Sequence, residues 1–107
     1  MVKSRSYTLY TEKGGWLGQI VLTEDGMFAS VTDYGNLSYT WRSTGDNDFR
    51  KFILDLNIGY FAGKMSGGLA YIAYSRKIER ACQIYAENIL PALKQVLQKD
   101  LEENPNW

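Results

Sequence analysis

Four short alternating runs fill most of the first 42 residues, and the segments between them are too short to hold a helix. The runs cover residues 7–10, 16–22, 27–32 and 37–41. Connections this short join successive strands in antiparallel fashion. Asp25-Gly26, which lies between two of the runs, is a strong hairpin signal. The sequence therefore predicts a four-stranded antiparallel meander within residues 1–42.

The alternation of residue types along the last two runs shows which side chains share a face of each predicted strand. Leu37, Tyr39 and Trp41 share one face of the fourth run, because successive side chains of a strand point to opposite faces. Met27, Ala29 and Val31 form one set in the third run. A meander of this kind has one face to bury, and we expect helices to cover it.

Helical spacing begins after the fourth run. Residues 43–48 form a polar loop that ends in residue types common at helix N-caps. The stripe that follows is Phe49, Phe52, Ile53 and Leu56. A second short helix is predicted over residues 60–65, with Asn57 as the end of the first helix or the cap of the second. Ser66-Gly67-Gly68 is interpreted as a break.

The longest helical pattern covers residues 69–103. From Ile78 to Val96 the apolar residues recur at steps of four, three, four, four and three, which indicates one buried face. Pro91 lies inside the pattern and predicts a bend near residues 87–91. This apolar stripe is long enough to suggest a homodimer through the helix as well as packing on the sheet.

Together these elements predict a single α+β domain over residues 1–107. The sheet occupies residues 1–42, two short helices lie within residues 46–65, and a long, kinked C-terminal helix runs over residues 69–103. No apolar run reaches the roughly 18 residues of a membrane span, and the first residues do not resemble a signal peptide. The expected location is therefore the cytoplasm.

Composition argues against several kinds of chemistry. The chain has no histidine and one cysteine, Cys82, so it lacks the commonest general base and cannot build a structural zinc site. Cys82 falls on the apolar helical stripe, which favours a core residue. Twelve basic residues balance twelve acidic ones, whereas strong nucleic-acid binders usually carry a basic surplus. We expect no cofactor, no metal and no enzymatic activity.

Two partial motifs are better explained by structure. Residues 59–66 resemble a phosphate-binding loop, but the two glycines are one residue too close and Met65 replaces the hydroxyl residue. Asp46, Asn47 and Asp48 offer oxygen ligands, but the further ligands and the glycine of a calcium loop are missing. N-capping is the favoured role for this acidic segment.

Aromatic residues are the main indication of function. Eight Tyr, three Trp and four Phe exceed what a small core easily holds, and aromatic side chains are enriched at protein interfaces. Tyr34 lies in a predicted turn next to Gly35. It either folds back over the sheet to cover Trp41 or Leu37, or is presented as an interface anchor. The predicted contact residues are Tyr34, Asn36, Trp41 and Arg42 at one end of the sheet, with Arg76 and Arg80 as a second patch.

Two alternative functions stay open. Arg76, Lys77 and Arg80, helped by Tyr71 and Tyr74, could contact RNA, DNA or an acidic protein. A small enzyme would need carboxylates to meet in a cleft, and the candidates for that role are Asp33, Asp46 and Asp48.

The segment GWLGQIVLTEDGMFASVTDYGNLSYTWRSTG, followed by DFRKFIL, resembles small uncharacterised proteins of phages and prophages. The resemblance covers about residues 15–65 and rests on a W-x-G-x-I…TDYGN-x-x-Y-x-W core. It implies a phage accessory protein, and such proteins often block host defence, including CRISPR effectors, by occluding a surface. The expected partner is a bacterial host protein or ribonucleoprotein complex.

Overall fold

The computed structural model describes residues 2–45, 48–69 and 75–107. Four strands form one antiparallel sheet in the order β1-β2-β3-β4. They are β1 (Ser4–Tyr10), β2 (Trp16–Thr23), β3 (Met27–Thr32) and β4 (Ser38–Thr40). Three helices follow, α1 (Phe49–Leu54), α2 (Ile58–Leu69) and α3 (Arg76–Glu103). The predicted α+β class with a four-stranded meander and a long C-terminal helix is confirmed. The predictions for Asp46, Asn47, Tyr71 and Tyr74 lie outside the described residues.

The turn between β2 and β3 depends on a glycine. Gly26 has φ +99, and a Cβ atom there would lie 2.2 Å from the carbonyl oxygen of Trp41. The Trp41 amide also donates a hydrogen bond of 2.9 Å to the Gly26 carbonyl. The predicted Asp25-Gly26 hairpin therefore also holds the end of β4 in place.

A bulge in β2 places two successive residues in the core. Leu9 pairs with Gly18 and Tyr10 pairs with Trp16, so Leu17 is the extra residue. Leu17 and Gly18 are both buried. This irregularity turns Trp16 outward and directs Leu17 toward the helices.

The glycines at residues 67 and 68 do not break the second helix. α2 continues through Ser66-Gly67-Gly68 to Leu69, so the predicted break is wrong. A glycine in a helix costs only about 1 kcal/mol, and the buried Phe61 and Met65 anchor α2 in the core. α3 begins at Arg76, after the N-cap Ser75, instead of at residue 69.

Polar caps define the starts of the helices. The Asp48 carboxylate accepts a hydrogen bond of 2.9 Å from the Arg50 amide at α1, which confirms its predicted capping role. Asn57 accepts from the Tyr60 amide at 2.7 Å and so caps α2.

All three helices lie on one face of the sheet, and the core fills the space between the two layers. The largest buried apolar side chains include Leu9, Ile20, Leu22, Phe28, Phe49, Ile53, Phe61, Met65, Tyr85, Ile89 and Leu90. Cys82 is buried among them, and burial raises the pKa of its thiol.

The apolar stripe of α3 is covered within this single chain. Cys82, Tyr85, Ile89, Leu93 and Leu97 are all buried, which leaves little of the stripe for a second copy. α3 continues through Pro91 without interruption, and the bend expected there stays a prediction.

Candidate interaction surface

The turn between β3 and β4 is held by one threonine. Asp33 and Tyr34 form a two-residue loop between Thr32 and Gly35, whose amide donates to the Thr32 carbonyl at 3.2 Å. The Thr32 hydroxyl accepts from the Tyr34 amide at 3.0 Å and donates to the Gly35 carbonyl at 2.8 Å. These bonds fix the backbone that carries the Tyr34 side chain.

Tyr34 occupies this turn without backbone strain. Among the described residues, positive φ is confined to glycines, and in this turn it falls on Gly35, with φ +130. Neither central residue of the loop, Asp33 or Tyr34, has positive φ. Glycine follows the loop instead, so a large side chain fits at position 34.

A groove of about 380 Å³ lies between this hairpin and α3. We call it the hairpin groove. It is lined by Tyr10, Thr11, Glu12, Leu17, Tyr34, Glu87, Asn88, Pro91, Ala92 and Gln95. Tyr34 is 42% exposed and Tyr10 is 60% exposed, so two aromatic side chains reach solvent at the same depression.

The charged residues that line the hairpin groove are negative. Glu12 and Glu87 contribute carboxylates, and no lysine or arginine lines the groove within the described part of the chain. Glu87 accepts a hydrogen bond of 3.1 Å from Gln83, which leaves its negative charge in place. The groove therefore favours a positively charged group over a phosphate.

Of the predicted contact residues at the sheet end, Tyr34 and Asn36 lie together. Asn36 is exposed, and its side-chain oxygen accepts from the Thr32 amide at 3.3 Å. Trp41 and Arg42 lie at the opposite end of β4, beside Gly26. Six residues of extended chain separate Asn36 from Arg42, or about 20 Å, so the predicted single surface is corrected to two separate places.

Trp41 is a core residue. Its side chain is 6% exposed, and its ring lies 4.7 Å from Tyr39 and 5.8 Å from Phe49, measured between centroids. The indole N–H donates to the Tyr60 hydroxyl at 3.2 Å. The expectation that Trp41 contacts a partner is corrected, because the first two helices cover the face on which it lies.

The second predicted patch lies on the same side of α3 as the hairpin groove. Arg76 and Arg80 are exposed in the first two turns. Arg76, Arg80 and Glu87 share one face of α3, because seven and eleven residues are each close to a whole number of turns of about 3.6 residues. Glu87 lines the groove, and a rise of about 1.5 Å per residue places Arg80 about 10 Å from it along the axis.

A buried ionic cluster was missed by sequence reasoning. We call it the Arg50 cluster, and its members are Arg5, Tyr7, Asp48, Arg50, Asp100 and Trp107. The Arg50 guanidinium is fully buried and bonds Asp48 at 2.6 Å and Asp100 at 2.9 Å. Arg5 bonds Asp100 at 3.3 Å. The sequence signal was an arginine directly beside the apolar stripe of α1.

Hydrogen bonds keep the Asp100 carboxylate ionised. Burial opposes its charge, but bonds from Tyr7, Arg50 and Asn104 outweigh that effect and hold the pKa of Asp100 below its usual value. The Tyr7 hydroxyl donates to Asp100 at 2.6 Å. Burial and this carboxylate together raise the pKa of Tyr7.

An aromatic ring packs against the same cluster. The guanidinium carbons of Arg5 and Arg50 lie 5.7 and 5.4 Å from the ring centroid of Trp107, within cation–π range. Arg5 also donates to the Trp107 carbonyl at 3.1 Å. Trp107 is therefore docked, and the cluster ties β1, α1 and the end of the chain together.

The carboxylates predicted for an enzyme have separate roles. Asp48 is engaged by Arg50 at three distances of 3.2 Å or less, and Asp33 lies in the hairpin loop. Asp46 lies outside the described residues. Within the described residues, no group of three metal-binding side chains occurs, and no helix is both long and apolar enough to cross a membrane.

Comparison with known protein families gives a match over most of the chain. A family model described as a phage family, Phage_phiTE_072, matches residues 1–79. The chain belongs to this phage family. No curated protein and no solved structure matches it significantly.

The residues that match the family form one wall of the hairpin groove and do not include the other wall. The sheet, the hairpin with Tyr34 and the first turn of α3 fall within residues 1–79. The opposite wall, with Glu87, Asn88 and Pro91, lies beyond the matched residues. One half of the groove thus belongs to the part that matches the family, and the other half is contributed by the rest of this chain.

Proposed function

We propose that this phage protein is a non-enzymatic binding protein that acts in the cytoplasm of the bacterial host. It binds a host protein or ribonucleoprotein in stoichiometric amounts and inhibits a defence complex of the CRISPR-Cas type by covering one of its surfaces. The observation that carries the proposal is the hairpin groove, where two exposed tyrosines stand beside two carboxylates.

The chemistry of this groove favours a protein partner. Tyrosine is enriched at binding hot spots because its ring buries a large area while its hydroxyl stays hydrogen-bonded. Glu12 and Glu87 repel phosphate and attract lysine or arginine. A basic side chain of the partner would gain from the carboxylates and from the faces of Tyr10 and Tyr34.

The placement of the perturbed ionisable groups supports binding over catalysis. The described groups with displaced pKa values lie in the Arg50 cluster or in the core, away from the groove. Asp48, Arg50 and Asp100 are matched with one another, as in a structural ion pair. Catalytic groups are usually perturbed and also accessible in a cleft.

An affinity pull-down from bacterial lysate, read by mass spectrometry, tests the proposal with three proteins. Tyr34→Ala should lose a defined partner that wild type retains, because truncating a hot-spot tyrosine typically costs about 2 kcal/mol or more. Ile84→Ala is the matched control, since Ile84 is a large side chain of similar exposure, 40%, that does not line the groove. Equal capture by all three proteins, or no specific partner at all, would contradict the proposal.

Nucleic-acid binding is the second candidate, favoured by one observation. Arg76, Lys77 and Arg80 are all exposed at the start of α3. Binding through them should weaken steeply with salt and be lost in an Arg76→Gln, Arg80→Gln double variant. Fluorescence anisotropy with single- and double-stranded oligonucleotides would show this, and absent or salt-independent binding would exclude it.

A further inference from the structure

The sheet face that points away from the helices carries no charge. In the four strands, all of whose residues the structure describes, Arg5 is the only charged residue. It points inward to the Arg50 cluster. The remaining outward positions are Ser, Thr, Gln, Ala, Val, Met, Tyr and Trp. We call this surface the outer face.

An uncharged outer face is unusual for this chain. Charged residues make up 22% of the sequence, yet all of them except Arg5 lie outside the strands. Exposed sheets usually carry charged side chains that prevent association. Instead, three large apolar side chains are exposed on this face, Trp16 at 45%, Met27 at 39% and Val31 at 55%.

The shape of the outer face allows a second β-sheet to pack against it. The strand register aligns Ser6, Val21, Ala29 and Ser38 in one row across all four strands. Val21 and Ala29 of this row, together with Gln19, line a shallow depression of about 240 Å³. Val31 also lines the depression and is more exposed than its neighbours, so one face offers both a hollow and a side chain that can enter it.

We propose that the outer face packs against the outer face of a second copy of this chain, related by a two-fold axis. A two-fold interface brings a patch against itself, so any charge near the axis would meet its own like charge. A neutral face avoids this repulsion and complements itself. Facing sheets pack with their strands about 30° apart and interdigitate small and branched side chains, which are the residue types found here.

The size of the face sets the strength of this dimer. Four strands spaced about 4.8 Å apart and about six residues long give a footprint of roughly 19 by 20 Å. That footprint, roughly 380 Å² on each copy, is smaller than the roughly 800 Å² per partner of a standard interface and corresponds to a weak, transient contact. We therefore expect a reversible dimer that forms only at high protein concentration.

The dimer and the proposed function use largely separate surfaces. Tyr10 lies at the rim that the outer face shares with the hairpin groove. The rest of the groove opens between the hairpin and α3, on the helical side of the sheet, so it stays accessible when two outer faces meet. The face also replaces the earlier candidate for a homodimer, the stripe of α3, whose members are buried within one chain. Ile84, at 40% exposure, is the large apolar side chain that α3 leaves exposed.

Sedimentation velocity across a concentration series up to about 1 mM tests the dimer, using full-length wild type, Val31→Lys and Ile84→Lys. Wild type and Ile84→Lys should associate reversibly, and Val31→Lys should stay monomeric over the whole series. Circular dichroism melts check that both variants fold, which we expect because both positions are exposed. Monomeric wild type, dimeric Val31→Lys, or loss of the dimer in Ile84→Lys alone would overturn the proposal.

Discussion

The Arg50 cluster and the hairpin groove contain the same residue types but have different roles. Each brings tyrosine and an acidic side chain together on the helical side of the sheet. In the cluster, Arg50 is fully buried and lies within 2.9 Å of both of its carboxylate partners. In the groove, Glu12 and Glu87 face solvent, and none of the described lining residues is a lysine or an arginine. Charges that form ion pairs inside the fold contribute to its stability. Charges without a partner of opposite sign among the groove residues are available to bind another molecule.

The largest expected effect on the free energy of unfolding comes from removing one carboxylate of the Arg50 cluster. Asp100→Asn removes the charge that faces both Arg5 and Arg50, and it should lower the free energy of unfolding by about 3–5 kcal/mol, because a buried guanidinium loses a partner. Urea denaturation followed by circular dichroism measures this. Glu87→Gln is the control in the groove and should change stability by less than about 0.5 kcal/mol. Similar small changes for both variants would remove the distinction between the two regions.

The stability of the fold at low pH should depend on the Arg50 cluster. The pKa values of Asp48 and Asp100 are lowered in the folded state, since hydrogen bonds and the charge of Arg50 outweigh burial. The unfolded chain therefore takes up these protons first, and the stabilisation is present above about pH 4 and is lost as the pH falls below it. Urea denaturation between about pH 3 and pH 7 should show a shallower pH dependence in Asp100→Asn. An unchanged dependence would place the acid-sensitive groups elsewhere.

The smallest expected effect on stability comes from the groove. Tyr34→Ala removes a side chain that is 42% exposed, so the free energy of unfolding should fall by no more than about 0.5 kcal/mol. Trp41→Ala, which empties a site that is 6% exposed, should instead cost about 3–5 kcal/mol. Thermal melts of the two variants side by side make the comparison. A large loss for Tyr34→Ala would make Tyr34 part of the core.

The sheet could be predicted because its signals are local. Alternation, short connections and Asp25-Gly26 all lie within a few residues of the pairs that they determine. The helix boundaries were harder to predict from the sequence, because the two glycines of α2 were interpreted as a break. Packing of Phe61 and Met65 in the core overrides their weak helix propensity.

The candidate site was predicted only in part, for a geometric reason. Tyr34 and Asn36 lie two residues apart in one turn, so sequence proximity placed them together. Trp41 and Arg42 are close to them in number but lie at the far end of β4. The α3 wall of the groove and the Arg50 cluster join residues separated by 50 or more positions, and no local pattern records such contacts.

The bond between Arg5 and the Trp107 carbonyl spans 102 positions of the chain, which has a consequence for the order of folding. Closing so long a loop is entropically costly and brings little return until the sheet and α3 are already assembled. We therefore expect the contacts of Arg5 with Asp100 and Trp107 to form after the transition state for folding. Weakening them should then speed unfolding and leave the rate of folding nearly unchanged.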